Sequence, residues 1–167
     1  VGTTSGTGTE VTSFSVITED ESGIKYPIAD FEITPDIAIV DTEIPQSMPP
    51  VLTADSGMDS LTHSIEAYVA TAHTDLTDCL AIKSAQMVFE SLVDSYHGSA
   101  EAKRQVHVGQ DLAGMSFSNA LLGIVHSLAH KVGVTYGVTH GRCNAIMLPY
   151  VVEYNSVAVP ERVADIA

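Results

Sequence analysis

The sequence predicts a short α/β front piece followed by an all-α body. Three observations predict it. The segments before residue 45 are short, rich in Val, Ile and Thr, and separated by Gly and acidic turns. Pro45, Pro49 and Pro50 then break the chain. Beyond Pro50 the apolar period changes from two to about 3.6. Within the front piece, residues 1–10 (VGTTSGTGTE) carry three Gly and five Thr or Ser and read as a loop with outward-pointing backbone amides. Residues 11–18 read as a strand, 19–23 (EDESG) as a turn, and Lys25 opens a second short extended piece. Residues 36–41 (DIAIVD) read as a buried strand from their Ile and Val content. In the body, 58–71 places Leu61, Ile65, Tyr68 and Val69 on one helical side. The next helix covers 75–95, with Thr74 as N-cap and Gly98 as its stop. A third helix covers 99–121, starting at Ser99, and a short apolar one covers 123–132. Gly133, Gly137 and Gly141 punctuate the passage to a helix over 141–153, and Pro160 starts a final turn.

The chain has 167 residues, 45% of them hydrophobic, enough to build one domain-sized core and too apolar for a disordered chain. Seven Lys and Arg face 21 Asp and Glu, a formal net charge of −14. That field repels duplex nucleic acid and anionic membranes, so neither is expected as a partner. Most of the excess sits early: residues 1–60 hold 11 acidic side chains and the single cation Lys25. No run of 18 apolar residues occurs, so no membrane-spanning helix is expected. Cys79 and Cys143 form no C-x-x-C pair, which excludes a thiolate zinc cluster and fits a reduced, cytoplasmic setting. Val1 opens directly into the Gly/Thr-rich loop, with no Met and no basic, apolar leader, as in a piece that begins inside a domain.

The chemistry is carried by histidines. Asp59 and His63 stand at i and i+4, so their side chains share one helical face. Taken alone, such a pair is more ordinarily a hydrogen bond or two exposed polar groups. His126 and His130 repeat the spacing in an apolar helix, where each imidazole needs a partner. This is the spacing of zinc-protease histidines, but the general-base Glu such a protease needs is replaced by Ser127. His140 lies between Gly137 and Gly141, where the backbone can turn sharply. Asp59, His63, His126 and His140 together offer one carboxylate and three imidazoles. That donor set suits Fe(II) or Zn(II), and the absence of thiolates is compatible with Fe(II). His73, His97 and His107 fall in polar contexts and are expected at the surface. The opening loop can present amides and hydroxyls to phosphate oxygens, although it is neither G-x-G-x-x-G nor a P-loop.

The blocks TTSGTGTEVT, Lys25, VDTEIPQSMPP, GMDSLTHSIEAYV, GIVHSLAHKVGVTYGVTHG and NAIMLPYVVEYN occur in this order. From residue 2 to residue 156 the chain resembles the iron-dependent (group III) alcohol dehydrogenases. The resemblance implies a Rossmann-like cofactor domain followed by an all-helical metal domain, the dehydroquinate synthase-like fold, with the metal between them. On that pattern residues 1–48 form the end of the first domain and 49–167 most of the second. The metal ligands are implied to be Asp59, His63, His126 and His140. His130 is implied to sit beside the nicotinamide and substrate without holding the metal. Thr3, Thr4 and Thr7 fall in the segment that touches the dinucleotide, and Lys25 on a lysine that reaches its ribose. The implied activity is hydride transfer between a primary alcohol or diol, or its aldehyde, and NAD or NADP, in a cytoplasmic homo-oligomer. The family's G-G-G-S phosphate turn does not occur, so the chain reads as the middle of a dehydrogenase about twice as long, with a partial cofactor site. Two alternatives follow: a metal-binding piece without turnover, or a glycerol dehydrogenase-like relative, which His63 disfavours.

Overall fold

The computed structural model describes residues 1–167. A two-stranded hairpin precedes six helices, so the α/β front piece and all-α body stand as the sequence predicts. Strand β1 (Phe14–Thr18) pairs antiparallel with β2 (Lys25–Ala29), Phe14 facing Ala29 and Thr18 facing Lys25. Gly23, at φ 68°, makes the left-handed turn between them. The segment 36–41 is not a strand: it joins neither member of the two-stranded sheet, and Ile37 and Ile39 are 78% and 54% exposed. High β propensity produces no strand where no backbone partner is in reach.

Helix α1 (Pro50–Val69) starts eight residues before the expected Met58. Pro50 occupies the first helical turn, where its missing N–H costs nothing, so the proline that reads as a breaker opens the helix instead. Helix α2 (Asp75–Tyr96) is capped by Thr74, whose side chain accepts from Thr77 N–H while Thr77 Oγ1 accepts from Thr74 N–H. Helix α3 (Ala100–Ala120) is capped by Ser99, which accepts from Ala102 N–H. Short links fold α1, α2 and α3 against one another. Their shared core holds Ala67, Tyr68, Ala81, Phe117 and Ala120. Small residues let these helices come close: a methyl on Gly109 of α3 would sit 2.9 Å from the Val88 side chain of α2.

Helix α3 ends at Leu121, which takes φ 68° without being glycine, and the chain bends by 107° into α4 (Ile124–Tyr136). Helix α5 (His140–Ser156) returns along α1 and α4, and α6 (Pro160–Asp165) closes on α5. Val125, Leu148 and Val151 form a second core there, filled out by Met58 and Ile65 of α1. The opening loop lies on α3: Gly8 N–H donates to Gln110 Oε1, and Ser13 N–H to Ser118 Oγ. Both cysteines are free thiols. No single helix is long and apolar enough to cross a membrane.

Candidate metal centre

Three helices bring the predicted donors together. Asp59 and His63 project from consecutive turns of α1, His126 and His130 from consecutive turns of α4, and His140 is the first residue of α5. Asp59 Oδ1 lies 3.4 Å from His126 Nε2 and 3.4 Å from His140 Nε2. The donor atoms of Asp59, His126 and His140 all fall within 4.8 Å of one another. His63 stands at the edge of this group, its Nε2 3.8 Å from Asp59 Oδ1. Its ring is stacked between Phe117 and His126, each 4.4 Å away between centroids. His63 Nδ1 is 3.2 Å from the carbonyl of Gly6, so an Nδ1–H donates there and leaves the Nε2 lone pair toward Asp59.

Asp59, His63 and His126 are buried, and His140 is partly open on one side. Burial alone raises the Asp59 pKa, but His63, the His126 hydrogen bond and His140 outweigh it and hold the carboxylate down at about 2. Burial pushes His63 down to about 4. Burial also disfavours the His126 cation, yet the hydrogen bonds and charges of Asp59 and Glu66 reverse this and lift it to about 9. Burial lowers His140 as well.

The site fits a divalent cation. One carboxylate and neighbouring imidazoles converge on a small volume, and a divalent cation there would take the place of the Nε2 proton of His126. The side-chain nitrogen of Asn144 lies 2.7 Å from Asp59 Oδ1, 3.3 Å from His126 Nε2 and 3.4 Å from His140 Nε2, so its N–H groups face that volume. Asn144 Oδ1 and His140 Nδ1 are buried without partners. A donor-poor cluster served by one amide is what a cation would complete.

The remaining expected residues lie on the opening loop, on β2 and on α4. His130 is half-buried, its ring 4.9 Å from that of His140, and it lines a groove with Gly23, Ile24, Lys25, Lys131, Val134 and Thr135. Burial, with His140, His126 and Lys25 nearby, pushes His130 down to about 4, so it is neutral at neutral pH rather than poised near 6.5. Thr3 and Thr7 are exposed and Thr4 is half-buried in the opening loop. The same loop passes so close to α1 that a methyl on Gly6 would lie 2.6 Å from the Ser56 carbonyl. The opening loop thus touches His63 through Gly6, and Lys25 shares a groove with His130.

His107 corrects an expectation. It is fully buried, not solvated, with Nδ1 3.0 Å from Ser5 Oγ. The cause is its position on α3, the helix roofed by the opening loop. Two residues near the metal cluster were not anticipated. Asn144 lies one helical turn after His140, and Glu66 is buried where its carboxylate meets His126 Nδ1 at 2.6 Å. Each had a signal: Asn144 repeats the i, i+4 spacing from His140, and Glu66 lies at i+7 from Asp59 on the same face of α1.

Comparison with known proteins places this arrangement among relatives. The family described as "Fe-containing alcohol dehydrogenase family, C-terminal" matches residues 53–167, and "Iron-containing alcohol dehydrogenase" matches residues 1–42. The NADPH-dependent butanol dehydrogenase of Clostridium saccharobutylicum is 58% identical over all of this chain, which covers 43% of that enzyme. The crystal structure of a 1,3-propanediol oxidoreductase superposes with a TM-score of 0.94 at 39% identity, over 98% of this chain and 44% of that one. The sulfoacetaldehyde reductase of Bifidobacterium kashiwanohense, solved in complex with NAD+, superposes with a TM-score of 0.87 at 33% identity, over 92% of this chain and 41% of that one. The chain therefore spans less than half the length of each of these relatives.

Proposed function

Because the chain belongs to the Fe-containing alcohol dehydrogenase family, we propose that it carries the metal centre and part of the nicotinamide site of an enzyme that moves a hydride between a primary alcohol or diol, or its aldehyde, and NAD or NADP. The observation that supports this most is the convergence of Asp59, His126 and His140 from three helices, with His63 stacked beside them. On this reading Asp59, His63, His126 and His140 hold one divalent ion, Fe(II) or Zn(II). Residues 1–48 belong to the cofactor domain and 49–167 to the metal domain, a division supported by family matches that stop at 42 and resume at 53.

When bound, the ion supplies Lewis acidity toward the substrate oxygen and the nicotinamide exchanges the hydride. The chain's own residues do the rest. Asp59 brings a carboxylate that stays ionised throughout the neutral range. Gly6 fixes the His63 tautomer through its carbonyl. Neutral His130, in the groove it shares with Lys25, accepts and passes on the hydroxyl proton of the alcohol. Lys25 places its ammonium beside the ribose and phosphates of the dinucleotide, with the hydroxyls of Thr3, Thr4 and Thr7 across the loop.

The test is metal content after anaerobic loading with Fe(II), with Zn(II) in parallel. The expected result is one ion per chain, lost in His126→Ala and kept in His130→Ala. Full occupancy in His126→Ala, or parallel loss in His130→Ala, overturns the ligand set. Fluorescence titration with NADH and NADPH, run on the loaded protein, is expected to give weak binding. Metal binding without any dinucleotide binding would assign the chain to the metal-holding part alone.

A further inference from the structure

Glu66 performs two tasks with its two oxygens. Oε1 accepts from Val125 N–H at 2.7 Å, and Oε2 lies 2.6 Å from His126 Nδ1 and 3.4 Å from His126 N. Val125 and His126 stand in the first turn of α4, whose amides have no partner inside the helix. Gly123, the N-cap of α4, has no side chain to cap them, so a carboxylate from α1 does so across the helix interface. The negative charge also suits the positive end of the helix. Glu66 is 2% exposed. Room for it exists only because residue 123 is glycine: a methyl there would lie 2.7 Å from Glu66 Oε1.

We propose that Glu66 is a positioning residue for the metal centre, holding His126 with its proton on Nδ1 so that the Nε2 lone pair points at Asp59 and the cation. The proposal rests on the metal-binding reading above. A carboxylate that takes the far ring nitrogen's proton fixes both tautomer and ring orientation, and raises the ring's strength as a ligand. Glutamine cannot replace it. One amide end would have to accept from Val125 N–H while the other faced His126 Nδ1 with N–H groups, which selects the tautomer protonated at Nε2. The opposite orientation sets amide N–H against Val125 N–H.

The experiment measures Zn(II) affinity of the chain by competition with a chromophoric chelator, for the unmutated protein, Glu66→Gln and Gly123→Ala. Metal-free stability is followed alongside by urea unfolding. Loss of such a partner weakens metal affinity by about 10–100-fold. That loss is expected in Glu66→Gln, with a smaller one in Gly123→Ala, where Glu66 is present but displaced. A drop in urea stability with unchanged Zn(II) affinity would reduce Glu66 to a helix cap and overturn the proposal. If Glu66→Gln does not fold, Gly123→Ala and the imidazole nitrogen spectrum of the unmutated, zinc-loaded protein decide. That spectrum is expected to show His126 protonated at Nδ1, with the proton protected from exchange. Metal on Nδ1, or a freely exchanging Nδ1 proton, overturns the assignment. Failure of the unmutated chain to take up Zn(II) at all overturns the metal reading itself, an outcome distinct from equal affinities.

Discussion

Asp111 and Glu10 meet under the opening loop, far in sequence and both almost sealed from water. Gln110 donates to Glu10 Oε1 at 3.1 Å and to Asp111 Oδ1 at 2.9 Å, and Asp111 Oδ2 has no partner. Burial, then the charge of Glu10 and a hydrogen bond with it, lifts Asp111 to about 7. His107, one turn earlier on α3, is lowered by burial and contributes no cation to offset the pair. A raised carboxyl pKa stabilises the fold below the unfolded value near 3.8, where both states are protonated alike, and that advantage disappears as pH rises through about 7. Asp111→Asn mimics the protonated form at every pH. The difference between its thermal midpoint and that of the unmutated chain is therefore expected to shift in the variant's favour from pH 4 to pH 8, and a difference that does not change with pH would refute the pairing. None of this is legible in the sequence, because the partner of Asp111 is 101 positions away in a Gly/Thr loop. The nearness of His63 to Asp59 was legible because helical spacing pairs them, and that of His126 because an apolar helix isolates an imidazole that needs a partner. The burial of His107 was not, since a His on a helix of mixed polarity gives no sign of which face is covered.

At the scale of the element, α5 is positioned by what it lacks at its second residue. A methyl on Gly141 would overlap the carbonyl of Asp55, so the start of α5 rests directly on the backbone of α1. Thr139 Oγ1 donates to Asp55 Oδ2 at 2.6 Å, and Arg142 Nε to Asp55 Oδ1 at 3.4 Å, clasping the same point. Overpacking of this kind costs about 1–3 kcal/mol, and here the displaced residue adjoins His140. Gly141→Ala is expected to lower urea stability by that amount or more and to weaken Zn(II) binding as well; normal affinity in a destabilised variant would show that His140 does not depend on this contact. Sequence located α2 and α3 almost to the residue, because Thr74 and Ser99 are side-chain caps whose chemistry is local. It misplaced the start of α1, where proline serves equally as breaker and as opener, and it made a strand of 36–41, whose pairing depends on chain elsewhere.

On the scale of the whole molecule, a cation held by Asp59, His126 and His140 would join α1 to α4 and α5, which follow it in the chain only after α2 and α3. The unfolded chain offers no such cluster, so binding adds to stability: about 2.7 kcal/mol at a free concentration one hundred times the Kd. Zn(II) is expected to raise the thermal midpoint and EDTA to restore it, and an unchanged midpoint at saturating metal would refute the clamp. The docking of α5 on α1 also sets an order of events in time. The α1–α2 and α2–α3 hairpins form between chain neighbours, whereas Asp59 and His140 are 81 positions apart and meet only when a long loop closes. The cluster is thus expected to assemble late, after most of the folding barrier has been crossed. A cation that recognises only the finished cluster leaves the refolding rate where it was and slows the escape from the native state.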